Sequence, residues 1–138
     1  MDKTLNYLSL ARKAQRAELG EEPVGAAARA LHAHLILVAS DASDHTWRRA
    51  KSFVAGPNQQ LVRLNATKDE MGFAIGRESL AIAAITDVAM ALALVQSLPS
   101  QEKYAEAVQV LTEKAQKMKQ RKKEAQAHKK NVRVGKKK

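Results

Sequence analysis

Lys117, Lys119, Arg121, Lys122 and Lys123 put five cations within seven residues. The chemistry open to such a run is contact with a polyanion. Lysines and arginines that neutralise phosphates release condensed counterions, and the resulting attraction is independent of sequence. The run belongs to a wider asymmetry. Residues 101–138 hold 13 Lys and Arg against Glu102, Glu106, Glu113 and Glu124, a net of +9, whereas residues 1–100 hold 11 against 10. A nearly neutral body therefore carries a cationic arm. A charge run of this kind also fits a solvated terminus that binds nothing.

The other polar residues do not assemble a reaction centre. His32 and His34 stand two apart and could share a face, yet neither His45 nor His128 supplies a third ligand at metal-site spacing. Glu21 and Glu22 are adjacent, a poor arrangement for a general acid opposite a general base. No serine lies in a nucleophile-elbow sequence, and no G-x-x-x-x-G-K phosphate loop occurs. The chain has no cysteine, which removes disulfides, thiolate metal sites and thiol nucleophiles. The expectation is a non-catalytic protein with no metal and no cofactor. Met1-Asp2-Lys3 opens no signal-peptide pattern, and the longest apolar stretch, Val88 to Val95, is too short to span a bilayer. These features predict a soluble cytoplasmic protein with no membrane partner.

The elements that would position these residues alternate between helix and strand. Residues 4–15 read as a helix with Leu5, Leu8 and Ala11 on one face and Arg12, Lys13 and Arg16 at its end. Ala17–Leu19 reads as a short edge strand. Gly20 permits a turn, and Pro23 suits the first turn of a second helix carrying Val24, Ala27, Ala28 and Leu31 inward. Leu35–Ala39 is a continuous apolar run, the pattern of a strand covered on both faces. After Ser40-Asp41-Ala42-Ser43, a third helix turns Trp47, Ala50 and Val54 inward and stops at Gly56-Pro57-Asn58. Gln60–Leu64 reads as a half-exposed strand. Thr67-Lys68-Asp69-Glu70 is a capping box for a short helix with Met71, Ala74 and Ile75 inward, ended by Gly76. Leu80–Ile85 is a further strand, and Thr86-Asp87 caps a helix running through Leu98. The alternation predicts an α/β fold: a three-layer α-β-α sandwich on a mixed sheet of about four strands, plus a basic C-terminal helical extension. Residues 1–98 form the expected body. Residues 99–138 form the extension, with a stripe at Tyr104, Val108, Leu111, Ala115 and Met118 for docking on the body or on a partner, and a partly disordered end.

The ordered motifs L-N-Y-L-S-L-A-R-K-A, G-E-E at Gly20–Glu22, L-I-L-V-A-S-D-A-S at Leu35–Ser43, M-G-F-A-I-G-R at Met71–Arg77 and A-I-A-A-I-T-D at Ala81–Asp87 resemble a known group. It is the superfamily of kink-turn-binding ribosomal proteins, and most closely its bacterial YlxQ-like branch, over about residues 4–96. The resemblance implies an α-β-α sandwich that binds RNA. In that superfamily the RNA is gripped by the start of the second helix, after the glycine of G-x-N-E-x-x-K, and by the loop after the short L-G-x-A-x-G helix. Gly20 matches the first glycine. Gly72, Ala74 and Gly76 match the second motif, which places Arg77, Glu78 and Ser79 in the contact loop.

The chain departs from the first motif at three positions. Glu22 replaces the Asn, Pro23 the Glu and Ala26 the Lys. Two carboxylates at a helix start repel phosphate, although they suit the helix dipole and can accept hydrogen bonds from base amino groups. The RNA-binding residues implied are Gly20, Glu21, Glu22, Pro23, Arg29, Gly76, Arg77, Glu78 and Ser79, joined by Lys117, Lys119, Arg121, Lys122 and Lys123 of the arm. Arg12, Lys13 and Arg16 are candidates to frame the site electrostatically. Trp47 reads as core rather than as a stacking platform. The expected partners are structured, ribosomal or kink-turn-like RNA and ribosome-associated proteins. The alternative is a protein-interaction module of the same fold whose RNA site has eroded.

Overall fold

A computed structural model describes residues 3–54, 56 and 59–136, with side chains through residue 127. Pro57 and Asn58 of the expected helix stop, Met1 and Asp2 of the amino terminus, and Lys137 and Lys138 of the expected disordered end lie outside the described residues. The elements are α1 (Lys3–Lys13), β1 (Ala17–Leu19), α2 (Glu21–Arg29), β2 (Leu35–Val38), α3 (Asp44–Phe53), β3 (Gln60–Arg63), α4 (Lys68–Ala74), β4 (Ile82–Ile85), α5 (Val88–Gln96), a 3-10 turn (Gln101–Tyr104) and α6 (Ala105–Lys136). The strands form one mixed sheet in the order β1-β4-β2-β3, with β4 antiparallel to both neighbours and β2 parallel to β3.

Helices cover both faces of the sheet, as a three-layer sandwich requires. On one face α1 touches α4 and α5, and α6 packs on α5; on the other, α2 and α3 pair. This double cover explains why all four residues of β2 and all four of β4 are buried. The helix starts are capped locally. Ser43 Oγ accepts the Thr46 N–H, Asp87 Oδ2 accepts the Met90 N–H, and Thr67 and Glu70 complete the expected capping box.

Three details differ from the sequence reading. In α3 the buried residues are Ala50 and Phe53, while Trp47 is half-buried with the Arg63 guanidinium 4.8 Å and the Lys51 ammonium 5.3 Å from its ring. Strand β4 begins at Ile82 rather than Leu80, because the Leu80 N–H donates to the Lys68 carbonyl and keeps residues 77–80 on α4. The core also continues past residue 98. Leu98, Ala107 and Leu111 belong to the same buried cluster as Leu5, Leu94 and Val95, and Tyr104, Val108 and Ala115 pack against it. The stripe at 104–115 is thus consumed by the body, and Met118 beyond it is exposed.

The sheet has two chemically distinct ends. At the upper end β1, β2 and β3 finish, β4 starts, and α2, α3 and α4 all begin. At the lower end α1 and α2 finish, β2 and β3 start, and α5 begins. Helix α6 runs downward, because Lys114 on it reaches His34 immediately before β2.

Candidate nucleic-acid interface

Gly20 opens α2 with φ +97°, a conformation that L side chains rarely adopt, and its N–H donates to the Ile82 carbonyl at 3.0 Å. No side chain caps the helix at this point. Glu21 and Glu22 occupy the first turn, and Pro23 removes one of the N–H donors that a helix start ordinarily offers. The charge on Glu21 is partly answered from α3. Arg49 Nε lies 3.1 Å from Glu21 Oε1, and His45 Nε2 lies 3.9 Å away. Arg29 folds back along the helix, so that a Cβ added at Gly25 would stand 3.4 Å from its Nη1. Glu22, Arg29 and Arg49 line one open groove beside Pro23 and Ala26.

The second element is held more tightly. Gly76, with φ +74°, turns the chain out of α4. The Arg77 N–H returns to the Gly72 carbonyl at 2.8 Å, and the Leu80 N–H to the Lys68 carbonyl at 2.9 Å. The loop then lies directly on the helix. A Cβ at Gly72 would stand 2.6 Å from both the Cα and the N of Ser79. Only glycine permits that approach, so the loop's position is written into residue 72. Asp41 fixes α4 from below its start by accepting the Lys68 N–H at 2.8 Å.

These two elements lie at the same end of the sheet. Ser79 is three residues from Ile82, whose carbonyl holds the Gly20 N–H. The Gly20–Pro23 helix start and the Arg77–Ser79 loop therefore share the upper end of the sheet. Glu22, Pro23, Gly76, Arg77, Glu78 and Ser79 are all exposed there, whereas Arg29 is exposed at the far end of α2 with its side chain turned back toward Gly25. Lys117, Lys119, Arg121, Lys122 and Lys123 are exposed as well, but α6 carries them away past the opposite end. Arg12, Lys13 and Arg16 also belong to that lower end, since α1 finishes there and the Arg16 carbonyl accepts the Thr86 N–H. They do not frame the α2 start. The fourteen implied residues thus divide between two locations.

Phe73 escaped the sequence reading. It follows Gly72 on α4 and is 78% exposed, an unusual place for a large aromatic side chain. The signal was present: placing Met71, Ala74 and Ile75 inward leaves position 73 facing outward. Arg49 was also missed, because its role depends on α3 lying beside α2.

At the lower end His34 Nδ1 lies 3.2 Å from Lys114 Nζ. Burial, and secondarily the lysine charge, lowers the His34 pKa below its usual 6.5; burial also lowers that of Lys114. A neutral imidazole accepting from the ammonium fits the His34 shift. Among the described residues no three His, Cys, Asp or Glu side chains gather as metal ligands, and no helix is long and apolar enough to cross a membrane.

No protein-family model matches this chain, and no curated protein matches it. Solved structures share its fold, among them these two. A Bacillus halodurans protein of unknown function is 24% identical, with a TM-score of 0.61, over 70% of this chain and 97% of its own. The Giardia lamblia 15.5kD RNA-binding protein is 16% identical, with a TM-score of 0.56, over 67% of this chain and 79% of its own. At these identities the likeness is one of fold.

Proposed function

We propose that this chain is a non-catalytic RNA-binding protein that recognises a structured RNA of ribosomal or kink-turn type. The observation that carries the reading is the junction at Ile82, which sets the uncapped α2 start beside the Arg77–Ser79 loop. A helix start offers unpaired N–H groups, and a rigid exposed loop beside it suits a bulge with splayed bases. Phe73 adds an aromatic face next to the loop, on which an unstacked base can rest. The RNA-binding neighbour of the same fold supports this at the level of architecture. The protein-interaction alternative relied on the Tyr104–Met118 stripe, and most of that stripe is already spent on α5.

The test titrates a kink-turn RNA and a plain RNA duplex against the original chain and the variants Arg77→Glu and Phe73→Ala. Reversal at Arg77 should weaken kink-turn binding by about 1.5–3 kcal/mol, the worth of a hydrogen bond to a charged group. Loss of the Phe73 ring should cost about 1–3 kcal/mol, the range for one base–aromatic stack. Both side chains are exposed, so thermal unfolding should barely move. A kink-turn bound no better than duplex, and indifferent to both variants, would remove the upper end as an RNA site.

A further inference from the structure

We infer that the lower end of the sheet is a second RNA-binding surface, one that grips the phosphate backbone, so that a single chain holds two RNA segments at once. The first segment rests on the upper-end reading given above; the second surface stands on separate observations.

The lower end carries two groups of exposed cations, joined through the strand ends between them. The Arg16 carbonyl accepts the Thr86 N–H at 2.8 Å, the His34 N–H donates to the neighbouring Ile85 carbonyl at 3.1 Å, and His34 Nδ1 meets Lys114 Nζ. This row joins the Arg12, Lys13 and Arg16 cluster at the end of α1 to Lys114 in the first third of α6. From Lys114 to Lys123 the helix advances by about 14 Å, at 1.5 Å per residue, and it carries Lys117, Lys119, Arg121, Lys122 and Lys123 exposed along that length. The nearby carboxylates are partly engaged: Asp87 accepts the Met90 N–H and Glu124 accepts from Gln120, while Glu113 is exposed beside Lys114 on α6. Glu18 lies beside His32 and Thr86 at the border of this end.

The upper end is built differently. Glu21, Glu22, Asp41, Asp44, Asp69 and Glu70 all lie in or next to its helix starts and dilute the basic side chains there. Phosphate attraction is therefore concentrated at the end that the upper RNA does not touch. The two surfaces face opposite ways along the strands, so one rigid duplex cannot cover both. An anionic membrane is the weaker occupant, because Met118 is the sole large apolar side chain between residues 117 and 127 and interfacial helices need apolar anchors.

The test uses the full chain with two variants. In one, the five cations at 117, 119, 121, 122 and 123 are changed to Gln; in the other, Arg12, Lys13 and Arg16 are. A labelled RNA duplex is titrated across a salt series. The five-Gln variant should lower the slope of log affinity against log salt by about 3.5–4.5 if every cation meets a phosphate, at about 0.7–0.9 per contact. The three-Gln variant should lower it by about 2–3 on the same scale. An unaltered slope in both Gln variants, or a duplex displaced by vesicles of anionic phospholipid at matched charge, overturns the second surface. A second arm immobilises kink-turn RNA, loads the chain and adds labelled duplex. Retention of duplex that is lost with the five-Gln variant supports bridging, and capture of the chain with the duplex excluded overturns it. Failure of kink-turn RNA to capture the chain overturns the upper-end reading and the bridge, while the salt slopes still decide the lower surface.

Discussion

Replacing Gly72 by Ala isolates the contact that sets the position of the candidate RNA loop. In an ordinary helix interior the change would stabilise by about 1 kcal/mol, because alanine has the better helix propensity. Here the new Cβ would sit 2.6 Å from Ser79 Cα and N and 2.8 Å from the Glu78 carbonyl carbon. These are backbone atoms, so no side-chain rotation relieves the overlap. Restoring ordinary contact at about 3.5 Å means moving the loop by roughly 0.8–0.9 Å. That shift strains the Arg77 N–H to Gly72 carbonyl and Leu80 N–H to Lys68 carbonyl bonds. Overpacking of this kind costs about 1–3 kcal/mol, enough to outweigh the gain in propensity. The expected result is a lower urea midpoint with an unchanged m-value, together with weaker kink-turn binding and unaltered duplex binding through α6. Gly76→Ala is the control. Its Cβ meets nothing within 4 Å, so its cost comes only from the positive φ and should be about 1–2 kcal/mol. A Gly72→Ala variant more stable than the original chain would refute the packing of this loop on α4.

Two further expectations concern the joint between α6 and the body. Leu111 is fully buried, so Leu111→Ala should cost about 2–5 kcal/mol in urea unfolding; a cost under about 0.5 kcal/mol would mean that α6 does not share the core. The His34 pKa is lowered in the folded state, so the unfolded chain takes up that proton first as pH falls. The His34 contribution to stability is therefore intact above the usual value of 6.5 and declines as pH drops from there toward the lowered folded value. His34→Gln should flatten this part of the stability profile, and an unchanged profile would show that burial does not lower the His34 pKa in the folded chain.

The fold was legible where residue patterns report only local conditions. Apolar runs at Leu35–Val38 and Ile82–Ile85 identify strands covered on both faces, and the Thr67–Glu70 capping box identifies the start of α4. The edge strand Ala17–Leu19 was readable because Gly20 ends it at once. What the sequence left open depends on partners distant in the chain. Whether Leu111 docks inside or outside cannot be known until α5 offers a surface, and the Trp47 contact with Arg63 exists only because α3 lies beside β3. The same limit governed the site. Position and residue type made the Gly20 turn and the Arg77 loop candidates, and made the arm a separate source of charge attraction, but did not say which end of the body the arm would reach. Helix α6 runs down the sandwich, so sequence-level charge said nothing about which end it would reach.

That direction bears on how the α2 start can work at all. Glu22 and Ala26 stand where the related motif has an amide and a lysine, and Pro23 removes an N–H from the first turn. A helix start of this composition is a poor phosphate anchor, since its carboxylates oppose the anion and one donor is missing. Carboxylates accept hydrogen bonds from the exocyclic amino groups of bases, however, and these are what splayed-out nucleotides present. The Arg49 pair holds Glu21 toward α3 and leaves Glu22 as the exposed acceptor. On the proposed reading, the upper end discriminates among bases with little help from general charge attraction. Attraction for a phosphate backbone is then left to the cations at the lower end, which act on a second RNA segment. Recognition and attraction would respond to different conditions: added salt weakens the second, while a change of base or of Phe73 weakens the first.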